Sequence, residues 1–360
     1  MRISILSMQR VVNFGSVLQA YSLRQILREL TDGEISFLDI EQESSLPCNR
    51  TVQESADYET PAEYPSGILQ KGKRWLITRL SRHNKNLIRK FMAQELKLDG
   101  KANQETWDHV IVGSDEVLNH ARGVCLQLHG NVKQAKNRIT YAAACGSARA
   151  EDIAPDDVEA VRQAMANFSA VSVRDEATRQ YVSQLYSGQI HHHLDPVLVG
   201  NLNQRQHKKV PIKKYLLVYA YGQRIRTAQE IRAIQEFARK KKLKTVAIGG
   251  SQFWCDRYIP ADPMRMLDYF YYADYVVTDT FHGAVFSVIN GKQFAVIMRK
   301  TNRNKLLGLL RDLNLEDRLL ENMEQLESTL TQPVDYAAVN QVLAREKTRT
   351  RAYLKEQLGV

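Results

Sequence analysis

Residues 276–298, VVTDTFHGAVFSVINGKQFAVIM, decide the fold, because they read as strand, polar turn, helix and second strand with almost no spare residues. The apolar run Tyr275–Thr278 ends at Asp279-Thr280. Ala284, Val285, Val288 and Ile289 then recur at helical spacing until Asn290-Gly291, and Phe294–Met298 forms the next buried strand. In such a βαβ unit the strands are parallel. Polar residues just past a strand's carboxyl end face the ligand crevice, beside a helix N-terminus whose free N–H groups attract anions. Thr280, His282 and Gly283 are therefore expected to line a site. The competing reading is that His282 only caps the helix and Gly283 only permits close packing.

The same grammar opens the chain. Ile3–Met8 reads as a buried strand, a polar loop holds Asn13, Phe14 and Gly15, and a helix follows from about Ser16. Its stripe runs through Val17, Leu18, Tyr21, Leu23, Ile26, Leu27 and Leu30, and Thr31-Asp32-Gly33 closes it before the strand Ile35–Ile40. The loop at Asn13-Phe14-Gly15 lies where a doubly wound sheet binds phosphate, yet it has neither GxGxxG spacing nor a P-loop Lys.

Between Glu41 and about Gly100 the pattern breaks. Gln53–Pro65 is acidic and contains Pro, which suggests a mobile loop, whereas Lys71–Phe91 is basic around Trp75, Leu76, Leu80, Leu87, Ile88 and Phe91. That second stretch reads as a basic amphipathic helix or helix pair. It either packs its apolar face on the domain or rests on anionic headgroups. The parallel-sheet pattern resumes at Val110-Ile111-Val112, which runs into Gly113-Ser114-Asp115-Glu116. Ile139–Ala144 and Ala170–Val173 follow as strands, with Arg174 at a strand end suited to a carboxylate or phosphate, or to an ion pair with Asp175 or Glu176. His191-His192-His193 would alternate faces in the strand ending at Asp195-Pro196, so all three cannot converge on one metal.

After a polar, basic stretch at 200–214 the pattern repeats, with strands at Tyr215–Tyr221 and Lys244–Ile248, helices at Thr227–Lys241 and Asp262–Ala273, and turns at Gly222 and Gly249-Gly250-Ser251. Helices at Lys305–Leu313 and Asp335–Leu358 finish the chain. The expected organisation is a first Rossmann-like domain at 1–205 with a basic helical insertion at about 66–98, a second at 206–334, and a terminal helix at 335–360 that crosses back. The fold class is α/β: two doubly wound domains facing a cleft, a GT-B-like arrangement with ligands between the halves.

Composition excludes several classes. With 360 residues, 44% hydrophobic and 25% charged, the chain is long enough for two cores. It has no run of about 18 apolar residues, and Met1-Arg2 leads straight into a strand, so a cytoplasmic location is expected. Four scattered cysteines without CxxC spacing predict free thiols and no metal site. A net charge of +10 favours anionic partners: by charge alone, nucleic acid, an anionic membrane and phosphorylated substrates fit equally.

The motifs Asn13-Phe14-Gly15-Ser16-Val17-Leu18-Gln19-Ala20-Tyr21, Val112-Gly113-Ser114-Asp115, Tyr141-Ala142-Ala143, Ser172-Val173-Arg174-Asp175-Glu176, Asp195-Pro196-Val197-Leu198 and Thr278-Asp279-Thr280-Phe281-His282-Gly283 resemble, in order and spacing, the signatures of the polysaccharide pyruvyl transferase family. The resemblance runs from Arg2 to about Met298. It implies a transferase that moves the enolpyruvyl unit of phosphoenolpyruvate onto two sugar hydroxyls as a cyclic ketal, with no cofactor beyond the donor. It also implies a sugar or glycan acceptor, lipid-linked in some relatives at the cytoplasmic membrane face, and no nucleic acid partner; 71–91 is then a candidate contact with anionic membrane.

On the matching positions, Arg174, Thr280, Phe281, His282 and Gly283 would bind the donor, and Asn13, Phe14, Gly15, Ser114 and Glu116 would line the cleft on the acceptor side. His282 would bind or protonate the donor. Asp115 or Asp279 would take the sugar proton, and Asp279 equally well orients His282. Several branches of the family have Arg where this chain has Thr280, so Arg299, Lys300 or another cation must replace that contact, or the donor differs. Glu116 and Leu118 stand where many relatives have Gln and Trp. A nucleotide-sugar glycosyltransferase and a non-catalytic glycan-binding protein of the same fold are the alternatives.

Overall fold

The computed structural model describes residues 1–41, 45–46, 68–120, 123–222, 224–299 and 302–360. The acidic stretch Gln53–Pro65, the start of the basic insertion and Lys300 lie outside them.

The first domain holds a six-stranded sheet built from β1 (Arg2–Leu6), β2 (Glu34–Leu38), β4 (Trp107–Asp115), β6 (Ala135–Ala143), β7 (Val171–Val173) and β8 (Ile190–His192) in the order β2-β1-β4-β6-β7-β8. Every pairing in it is parallel. A short antiparallel pair, β3 (Ser45–Leu46) with β5 (Val124–Cys125), lies beside it. Helices α1 (Phe14–Leu30), α3 (Pro155–Met165), α4 (Glu176–Ser183) and α5 (Pro196–Val199) connect the strands, and the basic α2 (Ile68–Phe91) is inserted after β3. Parallel strands covered on both faces must be apolar throughout, and β4 accordingly carries Val110, Ile111 and Val112 fully buried.

The second domain repeats the scheme with β9 (Tyr215–Ala220), β10 (Lys244–Gly249), β11 (Arg257–Tyr258), β12 (Tyr275–Thr278), β13 (Gln293–Ile297) and β14 (Leu319–Leu320), ordered β11-β10-β9-β12-β13-β14 and again all parallel. Its helices are α6 (Ala228–Lys240), α7 (Pro263–Tyr272), α8 (Phe281–Ile289), α9 (Arg303–Asp312) and α10 (Leu326–Thr331). Element ends fall within a few residues of the sequence reading, and side chains set them. Thr227 and Glu230 form a reciprocal capping box that fixes the start of α6.

The two halves are fused by apolar packing. One continuous cluster contains Phe14 and Leu18 of α1, Leu198 of α5, Tyr219 of β9, and Phe281 and Val285 of α8. The insertion helix joins this seam: Ile77 packs into the second domain's core, while Ile88 and Phe91 pack into the shared cluster. Asn84 is buried there, its side-chain oxygen accepting from the Ala261 N–H at 2.9 Å. The last helix, α11 (Tyr336–Leu358), begins on the second domain, where Tyr336 donates to the Lys292 carbonyl at 2.6 Å. It ends on the first domain, where Tyr353 donates to the Thr140 carbonyl at 2.9 Å and Arg351 pairs with Glu29 at 2.5 Å. Among the described residues no helix is long and apolar enough to cross a membrane, and no cluster of His, Cys, Asp and Glu could hold a metal ion.

Candidate functional site

Strand ends from both sheets open onto one cavity of about 730 Å³. Its first-domain wall comprises Asn13, Phe14, Gly15 and Ser16 at the start of α1, Asp115 and Glu116 after β4, and Arg174 after β7. The second domain contributes Tyr219–Gly222, Gly249–Ser251, Thr280–His282 and Lys305, while Ser81, Asn84, Lys85 and Ile88 of α2 close one side. That volume is typical of a small-molecule site.

Several motif residues hold the backbone that shapes this wall. Asn13, Asp175, Asp195 and Thr280 are the N-caps of α1, α4, α5 and α8, each accepting from a backbone N–H of the first turn. The cap of α8 is thus Thr280, not His282. The Gly283 N–H donates to Thr280 Oγ1 at 2.9 Å, so it is already satisfied and not free for an anion. Gly283 does not line the cavity; a methyl there would lie 1.9 Å from Thr278 Oγ1, so close packing explains the glycine. Asp115 adopts a positive φ of 77°, a left-handed conformation that Asp tolerates better than most side chains.

Three ionisable groups meet at the centre. Asp195 is fully buried, and its Oδ2 lies 3.1 Å from Arg174 Nη1 and 3.5 Å from His282 Nε2. Its Oδ1 accepts from the Val197 N–H at 3.0 Å. Burial pushes the Asp195 carboxyl up, but His282 and Arg174 outweigh it and hold the group below the usual carboxylate range. Arg174, also buried, is held fully charged: desolvation opposes the charge, and Asp195, Asp115, Asp175 and Glu116 overcome it. Its guanidinium carbon sits 4.1 Å from the centre of the Phe281 ring, a cation–π contact between the domains. The alternative reading of Arg174, an ion pair with Asp175 or Glu176, is not what forms; its ion pair is with Asp195. His282 Nε2 makes no hydrogen bond among the described residues, and its ring packs against Gly15.

A second ionic contact spans the cavity. Lys305 Nζ of α9 lies 2.6 Å from Glu116 Oε1, whose other oxygen accepts from Asn119 at 2.8 Å. Burial raises the Glu116 carboxyl, yet Lys305, Asn119 and Arg174 together bring it down to about 2. Lys305 is correspondingly raised despite its own desolvation. Ser16 donates to Asp115 Oδ2 at 2.6 Å, tying the first helix to the β4 end. Ser114 lies behind this wall, fully buried, its hydroxyl 3.4 Å from Asp195 Oδ2.

The two aspartates considered as proton acceptors are placed differently. Asp115 lines the cavity. Asp279 does not: it is fully buried, 3.3 Å from Arg224 and 3.5 Å from Arg299, and its carboxylate touches those guanidinia instead of orienting His282. Arg299 is committed as well, bonded at 2.6 Å to Glu230 and away from the cavity wall, so it does not replace the cation expected at Thr280. Lys305 is the described cation of the second domain that reaches the cavity, with Lys85 of α2 at its edge. Neither Lys305 nor Asp195 was singled out from the sequence as a site residue, although the Asp195-Pro196 pair closes a strand as the other site residues do.

The sequence profile of the polysaccharide pyruvyl transferase family matches residues 13–301, most of the chain, and the protein belongs to that family. No curated protein matches it in sequence. Among solved structures it is similar to MnaA of S. aureus determined with UDP, at 14% identity and a TM-score of 0.50, covering 100% of this chain and 97% of that one. A UDP-N-acetylglucosamine 2-epimerase matches at 12% identity and a TM-score of 0.51, covering 100% and 96%. At such identities the likeness establishes the fold: a GT-B-like pair of α/β domains.

Proposed function

We propose that this member of the polysaccharide pyruvyl transferase family moves the enolpyruvyl unit of phosphoenolpyruvate onto two hydroxyls of a glycan sugar, forming a cyclic ketal. Besides family membership, one observation supports the reading: Arg174 of the first domain meets Lys305 and His282 of the second across a single cavity. A small donor with a carboxylate at one end and a phosphate at the other needs two separated cationic groups and a proton donor between them.

In this reading one sugar oxygen bonds to C2 of the donor while the methylene carbon takes a proton and becomes the ketal methyl. The second sugar oxygen then bonds to the same carbon and phosphate leaves with the C–O bond electrons; one hydroxyl proton replaces that given to the methylene, and the other departs with phosphate. His282, on the cavity wall with its Nε2 3.5 Å from the Asp195 carboxylate, supplies the proton. Asp115 on the cavity wall accepts from the attacking hydroxyl. Arg174 and Lys305 hold the anionic ends, and since each already faces a carboxylate, the donor draws Lys305 off Glu116 as it binds. Asp279 keeps Arg224 and Arg299 in place behind the site.

Calorimetry tests this directly. Phosphoenolpyruvate should bind the wild type and fail to bind Arg174→Ala, and phosphate release should require a glycan acceptor. Binding of a UDP-sugar without binding of phosphoenolpyruvate would replace the reading with glycosyl transfer. Acceptor binding with no donor of either kind would make the protein a glycan-binding relative without turnover.

A further inference from the structure

The insertion helix α2 carries two chemistries on opposite faces. Towards the protein it presents Ile77, Asn84 and Ile88, all buried, and with Ser81 and Lys85 it walls the cavity. Away from the protein, positions 75, 79, 82, 86, 89 and 90 follow the three- and four-residue spacing of a single helical stripe. On or beside that stripe Lys71, Arg79, Arg82, Arg89 and Lys90 are exposed, and none of them makes an ion pair among the described residues. Residues 68–91 contain no Asp or Glu. In the midst of the cations Trp75 is 65% exposed and Leu76 48%, the two most exposed large apolar side chains among the described residues of the helix. The Arg79 guanidinium lies 5.7 Å from the Trp75 ring centre, so the aromatic already sits within the basic field.

We propose that this outer face of α2 docks the protein on an anionic lipid bilayer, with Trp75 and Leu76 entering the headgroup layer and the basic side chains facing lipid phosphates. Charge complementarity selects the occupant: a basic stripe of about 29 Å, from Lys71 to Lys90 at about 1.5 Å per residue, matches an extended anionic plane better than a small anion. The apolar pair selects lipid over a soluble polyanion, because Trp and Leu gain only by leaving water. Since the inner face of the same helix lines the cavity, docking would hold the cavity one helix diameter, roughly 10 Å, from the bilayer surface. The proposal is independent of which donor the cavity takes, and its test needs no turnover.

Full-length protein is floated with vesicles of phosphatidylcholine, alone or mixed with phosphatidylglycerol, at low and at molar salt. Binding is expected with the anionic vesicles only and should disappear at molar salt, where the Debye length shrinks to about 3 Å. Trp107 and Trp254 are buried, at 1% and 8% exposure, so a blue shift in tryptophan fluorescence on binding reports Trp75. Combined Arg79→Gln, Arg82→Gln and Arg89→Gln should lower vesicle affinity about a hundredfold, from roughly fivefold for each charge removed, with an unchanged melting temperature. Trp75→Ala should weaken binding and abolish the shift. Failure to float with anionic vesicles at low salt, equal flotation with neutral ones, or unaltered binding by the triple variant would overturn the proposal. So would capture by soluble dextran sulfate with no flotation and no fluorescence shift.

Discussion

The imidazole of His282 lies so close to Gly15 that a methyl group on that α-carbon would stand 2.2 Å from Nδ1. A residue of the first domain's opening loop thereby sets the position of the second domain's histidine. Phe281 and Phe286 flank the ring, with centroids 5.2 Å and 5.9 Å away, and limit where it can go.

Gly15→Ala should therefore displace His282 and lower phosphoenolpyruvate-dependent phosphate release on the order of 10²-fold, the usual cost of misplacing a reacting group by about an ångström. Steady-state kinetics beside a thermal melt separates this from misfolding. Near-normal turnover in a well-folded Gly15→Ala protein would show that the contact does not position the histidine.

Asp195→Asn keeps the cap on α5 in shape but removes the negative charge shared by Arg174 and His282. Arg174 would lose its closest counter-ion, so an anionic donor should bind as well or better while kcat falls. Removing one partner of a buried pair costs about 3–5 kcal/mol when nothing replaces it, and the amide should retain part of that. KM, kcat and a denaturant midpoint measured together reveal the split; a rise in KM with unchanged kcat would contradict it.

The Glu116–Lys305 pair predicts a defined acid sensitivity. The Glu116 carboxyl titrates at about 2 in the folded protein against an ordinary value of 4.5. Because the folded-state value is depressed, the pair's contribution is present above about 4.5 and is lost as pH falls through about 2. It amounts to roughly 2 kcal/mol after discounting the partly open cleft. Glu116→Gln should flatten the stability curve in that window, as read by melts across pH, and should also tighten donor binding by releasing Lys305.

Thr280→Arg looks favourable from the sequence alone, as a restored donor contact. The geometry argues for a cost instead, since Thr280 caps α8 and is only 5% exposed. Losing the cap should remove about 1 kcal/mol of stability, whereas Thr280→Ser should retain it. Urea midpoints of the two variants distinguish the roles; an Arg variant as stable as the Ser variant would mean the cap is dispensable.

Much of this was legible in the sequence because local pattern and global fold agree. The buried runs Val110–Val112 and Val276–Thr278 announce parallel strands, and the residue at the carboxyl end of each strand is fixed by chemistry that a single chain displays. Arg174, Asp115, Glu116 and His282 reach the cavity for that reason. Asp195 escaped because its partnership with Arg174 depends on β7 lying beside β8 in the register Ser172–His191, which a lone sequence does not show. Lys305 and the inner face of α2 arrive by docking of whole elements, which periodicity cannot place. Asp279 illustrates the opposite limit: it ends a strand as Asp115 does, yet two arginines from elsewhere in the domain enclose it.

The path of α11 has a consequence for how the protein comes to be made. The Thr140 and Val199 carbonyls and the Glu29 carboxylate take hydrogen bonds from Tyr353 and Arg351, more than 150 positions further along the polypeptide. A ribosome delivers the first domain's sheet long before it delivers the helix that covers it. The apolar surface that Leu343, Tyr353 and Leu354 will occupy stays open until α11 itself has been synthesised, so the half that emerges first is completed only by a helix that follows the second half.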